Sequence, residues 1–144
     1  MAKPFDCAGL FGAVCGTPTP SWRHNLRATW NTPTGLSLSL LWRHWSAVTA
    51  DIALAKAQFD YDYNPLAAHI PSRDYFDVTG TAHLGEHLQL RAGVRNVFDK
   101  TPPIIPGGEH GSCGGGPCNG NTFPQFYDPL GRFIFFGATV NFKP

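Results

Sequence analysis

Residues 75–95 read Tyr75-Phe76-Asp77-Val78-Thr79-Gly80-Thr81-Ala82-His83-Leu84-Gly85-Glu86-His87-Leu88-Gln89-Leu90-Arg91-Ala92-Gly93-Val94-Arg95. In the first half Phe76, Val78, Gly80, Ala82 and Leu84 alternate with Tyr75, Asp77, Thr79, Thr81 and His83. After a short turn around Gly85-Glu86, Leu88, Leu90, Ala92 and Val94 alternate with Gln89, Arg91, Gly93 and Arg95. Successive side chains of a strand point to opposite faces, so a period of two predicts two strands, each apolar on one side and polar on the other.

The period recurs on both sides of this hairpin. Trp22, His24, Leu26, Ala28 and Trp30 alternate with Arg23, Asn25, Arg27, Thr29 and Asn31. Thr32-Pro33-Thr34-Gly35 supplies a tight turn. Leu36, Leu38, Leu40 and Trp42 then oppose Ser37, Ser39, Leu41 and Arg43. Near the C-terminus Ile134, Phe136, Ala138, Val140 and Phe142 oppose Phe133, Phe135, Gly137, Thr139 and Asn141. The expectation is an all-β fold of about five antiparallel strands of roughly ten residues each, the length that crosses a bilayer when tilted. The best helix candidate, Ala50–Phe59, is too short and too poorly capped to carry a fold.

Composition narrows the class. The 144 residues suffice for about one domain. Only 15% are charged, against roughly 25% in soluble domains. Hydrophobic residues at 42% and aromatics at 13% exclude a disordered chain. A net charge of +1 gives no electrostatic reason to invoke nucleic acid. No apolar run reaches the ~18 residues of a transmembrane helix, but barrel strands, which are short and alternating, stay open. No apolar core follows Met1-Ala2-Lys3, so no signal peptide is visible: the protein is cytoplasmic or the chain begins part-way through something larger, and the paired cysteines favour the second.

Connection lengths and arginines both favour a barrel over a sandwich. Short turns at 32–35 and 85–87 alternate with long segments at 1–20, 46–74 and 101–127, the layout of outer-membrane barrels with short periplasmic turns and long external loops. Arg23, Arg27, Arg43, Arg91 and Arg95 fall on the polar face within strands. A wet lumen tolerates them there, whereas a dry core does not. Trp22, Trp30, Trp42, Trp45, Phe76, Phe98 and Phe142 fall near strand ends, where an apolar ring with a polar tip suits a membrane interface.

The stretch Leu90–Pro103, with Asn96, Phe98, Asp99 and Lys100, resembles the penultimate strand of TonB-dependent outer-membrane receptors and its exit. Asn121–Arg132, with Tyr127, Asp128, Gly131 and Arg132, resembles the approach to their final strand. The likeness is specific over residues 72–144 and pattern-level upstream. It implies a single C-terminal segment of a 22-stranded barrel, located in the outer membrane of a Gram-negative bacterium. It also implies energy-coupled uptake of an iron chelate, cobalamin or a sugar, and no enzymatic activity. Implied partners are outer-membrane lipid, the remaining barrel strands and plug, and the barrel-assembly machinery, with the TonB complex engaged only through the N-terminal part. Phe136, Val140 and Phe142 correspond to the C-terminal assembly signal, although family members end on an aromatic residue and here Lys143-Pro144 follow. The rival reading is a secreted, soluble β-rich binding module with two disulfides.

Residue chemistry adds no catalytic centre. His110, Cys113 and Cys118 are zinc-type side chains whose fourth partner would be Cys7, Cys15 or Glu109. Two local disulfides account for the same cysteines more simply. Gly107-Gly108 and Gly114-Gly115-Gly116 lack the strand, helix and lysine of a phosphate loop. Asp60, Asp62 and Asn64 lack the glycine and glutamate of a calcium hand. Tyr61 and Tyr63, in the same polar loop, are candidate ligand contacts. The histidines and carboxylates form no spaced catalytic set, and no cofactor is expected. Cysteine proximity predicts Cys7–Cys15 and Cys113–Cys118 pairs. Non-reducing peptide mapping is expected to return those two cross-links, and a Cys7–Cys118 link would refute the local pairing.

Overall fold

The computed structural model describes residues 5–60, 65–105 and 121–142. Their strands in chain order are β1 (Leu10–Gly12), β2 (Gly16–Thr19), β3 (Arg23–Asn31), β4 (Leu36–Trp45), β5 (Val48–Ala50), β6 (His69–Ile70), β7 (Arg73–Leu84), β8 (Leu88–Arg95) and β9 (Phe133–Val140). One helix, α1 (Ile52–Phe59), follows β5, and a single 3₁₀ turn spans Pro65–Ala67. None of the described helices is long and apolar enough to cross a membrane, which says nothing of strands.

The fold is all-β and falls into two compact units. The larger sheet belongs to the unit of residues 24–44, 74–100 and 130–144, with strand order β3-β4-β7-β8-β9. These are the five strands expected from the period of two. The pairings β7–β8 and β8–β9 are antiparallel. Their register sets Val78 opposite Val94, Gly80 opposite Ala92 and Leu84 opposite Leu88. It continues with Ala92 opposite Phe136 and Leu90 opposite Ala138. Directly opposed residues of a ladder share a face, so even numbers meet even numbers throughout. Contacts carry the same parity into β4 and β3: a Cβ on Gly80 would lie 3.5 Å from Leu38 Cδ2. Ser37 Oγ donates to Asn31 Oδ1 at 2.6 Å, and Arg27 Nη1 donates to Ser39 Oγ at 2.9 Å.

One face of this sheet is therefore apolar across all five strands, and it is exposed. Ile134 and Phe136 are 71% and 72% accessible, Trp30 is 65%, and Leu36, Leu38, Leu40 and Val78 are also open. A soluble sheet ordinarily packs such a face on a core. The turns that hold the register are short. At the first, Thr32 N–H donates to Leu36 O, Gly35 takes φ +81°, and Gly35 O accepts the His83 N–H from β7 at 3.0 Å. Gly85 takes φ +67° at the second. Glycine suits both, since positive φ crowds a Cβ.

The other unit, residues 1–23, 45–73 and 101–129, contains a four-stranded sheet in the order β2-β1-β5-β6. Its β1–β5 pairing is parallel, while β1–β2 and β5–β6 are antiparallel. Here the side chains are buried: Phe11, Val48, Ile70, Phe123 and Tyr127 are all at most 1% accessible. Phe11 and Phe123 meet edge-to-face at 6.0 Å. The Asp51 carboxylate, also buried, accepts the Val14 and Cys15 N–H groups at 2.8 and 2.7 Å. Cys7 and Cys15 are joined by a disulfide. The segments 1–20 and 46–74, read from sequence as long connections with one helix candidate at Ala50–Phe59, hold β1, β2, β5 and β6 as well as α1, which lies within that candidate. Strands of two to four residues are too short to leave a periodic signature. The final strand also stops at Val140, two residues before the alternation ends at Phe142.

Gly93 shows how tightly the larger sheet is set. A Cβ there would meet Phe135 Cζ at 2.5 Å and the Val78 carbonyl oxygen at 2.7 Å, whereas Gly137 has open space. The carbonyl belongs to the ladder and cannot retreat. Gly93→Ala is expected to destabilise by about 1–3 kcal/mol, read as a lowered unfolding midpoint in lipid or detergent. Gly137→Ala should leave the midpoint nearly unchanged, and equal effects would contradict the packing of Phe135 over Gly93.

Candidate functional site

The polar face of the larger sheet carries the ordered chemistry. Arg43 on β4 reaches Asp77 on β7, with Nη2 donating to Oδ1 at 2.9 Å and Nε lying 2.9 Å from Oδ2. The pair is one charge-assisted hydrogen bond, through Nη2, with Nε at ion-pair distance from the second oxygen. Asp77 Oδ1 also accepts the Asn96 N–H at 2.9 Å, and the Arg43 guanidinium lies 5.1 Å from the centre of the Tyr75 ring. Arg43, Asp77 and Asn96 are all buried. A charge removed from water needs partners, and here the pair and the amide supply them.

Asn96 also begins the strand exit. Its Oδ1 accepts the Lys100 N–H and its Nδ2 donates to the Lys100 carbonyl, both at 2.9 Å. The side-chain amide thereby closes the 96–100 loop as a backbone pairing would. Asn96 and Asp99 take φ of 50° and 53°, a left-handed region that Asn and Asp tolerate better than most residues. Asp99 Oδ1 accepts the Arg132 N–H at 2.7 Å, tying the loop to the entry of β9. Gly131 takes φ +69°, and a Cβ there would lie 2.6 Å from that same oxygen. Asn96, Asp99, Lys100, Gly131 and Arg132 thus form one junction. Phe98 is exposed, with its ring edge-to-face to Phe76 at 5.5 Å.

The apolar face ends in a polar-tipped aromatic cluster. Trp42 Nε1 donates to Asp74 Oδ1 at 2.8 Å, and His44 Nδ1 lies 2.7 Å from the same oxygen. His24 stacks on His44 at 5.1 Å and meets Trp42 edge-on at 4.5 Å. Trp42 stacks in turn on Phe76 at 6.0 Å. Trp30 lies toward the opposite strand ends, beside the 32–35 turn.

Of the other candidates, Tyr127 is buried and Asp128 partly buried in the four-stranded unit. Phe136 and Val140 are exposed on β9, and Phe142 is 90% accessible just beyond it. Cys113, Cys118, His110, Glu109, Tyr61 and Tyr63 lie outside the described residues. Cys7 and Cys15, joined in their disulfide, are not thiolate ligands. Among the described residues no three His, Cys, Asp or Glu side chains are placed to hold a metal ion. Sequence reading missed the Arg43–Asp77 pair and the Asp74–Trp42–His44 cluster. Both join β4 to β7 across the long segment 46–72, and parity gives their face but not their register.

No protein-family model matches the chain, and no curated protein matches it. Among solved structures it is similar to a mutant form of the ferric enterobactin receptor of Pseudomonas aeruginosa, with a TM-score of 0.58 and 22% identity. The match covers 82% of this chain and 16% of that one. The likeness concerns the fold: an all-β chain whose strands are arranged as in part of that receptor.

The two polar links differ in burial, and so in expected cost. Asp77→Ala leaves the Arg43 charge buried without its partner and is expected to cost about 3–5 kcal/mol. Asp99→Ala removes one acceptor at an exposed position and should cost about 1 kcal/mol. Equilibrium unfolding of both variants checks the order, and equal losses would remove Arg43–Asp77 from its central place.

Proposed function

We propose that this chain is C-terminal barrel wall of a TonB-dependent outer-membrane receptor, acting in energy-coupled uptake of a scarce nutrient such as an iron chelate, cobalamin or a sugar. One observation carries the reading: a five-stranded sheet whose apolar face is exposed while its polar face holds buried and exposed arginines. That distribution suits a wall with lipid outside and water inside. It is the reverse of a soluble domain, whose apolar face turns inward. The fold likeness supports the reading, as does the junction that joins Asn96 and Asp99 to Gly131 and Arg132.

In this reading residues 1–20, 46–74 and 101–127 face the medium, where Tyr61 and Tyr63 contact the solute. The open edges of β3 and β9 pair with further barrel strands, since unpaired backbone groups are costly in hydrocarbon. Phe136, Val140 and Phe142 serve the assembly machinery, and TonB is engaged through plug and N-terminal parts of the receptor. The role is transport and not catalysis. The soluble binding module is disfavoured by the exposed Ile134, Phe136 and Trp30.

Two neighbouring positions on β9 test the wall directly. Ala138→Arg puts charge on the apolar face and is expected to cost about 2–4 kcal/mol near mid-membrane, whereas Thr139→Arg on the polar face costs little. The fraction of protein assembled in outer membranes should fall sharply for the first variant only. Equal tolerance of both would reject the membrane assignment.

A further inference from the structure

We infer that His24 and His44, the second aimed by Asp74, form a two-imidazole site for a borderline divalent transition-metal ion such as nickel, copper or zinc. The site lies at one end of β3, β4 and β7 and needs only the pairing of those three strands. The β3–β4 hairpin brings the two histidines together. Thr32 N–H donates to Leu36 O beside the turn, and Ser46 N–H donates to Trp22 O at the far end. Counting inward from either bond sets His24 directly opposite His44, on one face. The two ring centres are 5.1 Å apart. Imidazoles that share one ion at metal–nitrogen distances of about 2.0–2.1 Å hold their centres about 5 Å apart. The strand pairing alone therefore supplies the spacing that a shared ion requires.

Asp74 decides which nitrogen of His44 is offered. An ionised carboxylate only accepts hydrogen bonds, so His44 Nδ1, 2.7 Å from Asp74 Oδ1, carries its proton there. In the neutral ring Nε2 then holds the lone pair, as a metal ligand must. Metal-ligating histidines almost always give their other N–H to a carboxylate, a carbonyl or water. Trp42 Nε1 donates to the same Asp74 oxygen at 2.8 Å and holds the carboxylate from a second side. His24, with Trp42 edge-on at 4.5 Å, needs only a turn about its ring bond, a torsion with broad wells. Among the described residues no three His, Cys, Asp or Glu side chains surround one point, so the ion has two protein ligands and takes water for the rest. Both histidines are partly exposed, and that water can reach them. Imidazole nitrogen suits nickel, copper and zinc, whereas magnesium takes oxygen ligands and keeps its own water.

The test is histidine footprinting with diethyl pyrocarbonate at neutral pH, read residue by residue by mass spectrometry. It uses the native protein in the membrane or soluble fraction where the cell leaves it, so that whatever pairs with the β3 and β9 edges is present. Nickel chloride is the probe and magnesium chloride the control. His24 and His44 should react without metal, and nickel should slow both along one titration curve with a common midpoint, because one ion occupies both. Magnesium should slow neither. The exposed His69, His83 and His87 serve as controls in the same molecule and should lack that midpoint. Asp74→Asn should move the midpoint to about 10- to 100-fold higher nickel, the usual loss when a ligand histidine loses its orienting partner. Protection of one histidine without the other, separate midpoints, or equal protection by magnesium would overturn the shared site. Resistance of both before nickel is added would also overturn it, since water-borne ions would be shut out as well. A midpoint unmoved in Asp74→Asn would show that the carboxylate does not aim His44, and the site as drawn would fall.

Discussion

The register of the five-stranded sheet is the constraint on which the rest depends. Because β7, β8 and β9 pair even number to even number, no strand can change parity without its neighbours. A one-residue slip in any strand would carry its leucines to the arginine side and its arginines to the apolar side. Three devices fix that register. Short glycine turns set the hairpins, Arg43–Asp77 ties β4 to β7, and Phe135 lies over Gly93 between β8 and β9. The ion pair works with the Gly35–His83 bond, because the long segment 46–72 separates β4 from β7 and no short turn connects them.

The junction at the end of β8 extends this logic to β9. The sequence between Asn96 and Gly131 is long and has no periodic pattern of its own, yet β9 must enter beside β8 in a single register. Asp99, accepting the Arg132 N–H, supplies the fixed point. Asn96 holds the loop that presents Asp99, and Asp77 holds the Asn96 amide. The chain of contacts therefore runs Arg43, Asp77, Asn96, Asp99, Arg132, linking four strands through one polar seam. Gly131 is needed where a Cβ would strike the Asp99 carboxylate. The residues that make the sequence resemble a receptor family thus have a local structural reason to be where they are.

Sequence alone made the large sheet legible, because a period of two sustained over eight to twelve residues belongs to strands and not to helices or loops. Leu36 to Trp42 and Leu88 to Val94 are unambiguous in this respect. The small sheet was illegible for the opposite reason: β5 and β6 have three and two residues, and β1 pairs with β5 in parallel across a long gap. Its buried Asp51 stands just before α1, in a helix candidate that the sequence showed as poorly capped. In the structure α1 has no side-chain cap bond there, because the carboxylate is turned to Val14 and Cys15. The candidate site was half legible. Parity put Arg43 and Asp77 on one face, and only the strand order β4-β7 made them neighbours.

The two units solve burial in opposite ways, and the contrast bears on what surrounds them. The four-stranded unit closes on Phe11, Val48, Ile70, Phe123 and Tyr127 and carries a disulfide, as a small folded unit in an oxidising setting does. The five-stranded sheet instead buries its charged pair and exposes its leucines. Water on both sides would leave that exposed face without stabilisation. Hydrocarbon on both sides would leave Arg27, Arg91 and Arg95 unsolvated, at a cost no pairing on their face offsets. The proposed barrel wall places this sheet between two unlike media, apolar against the even residues and aqueous against the odd. The aromatic rings with polar tips, Trp42 and His44 on Asp74, gather at a strand end, as the proposed wall would have them. In the proposed wall that end lies where the apolar medium gives way to water, and a ring that is half one and half the other loses nothing to either.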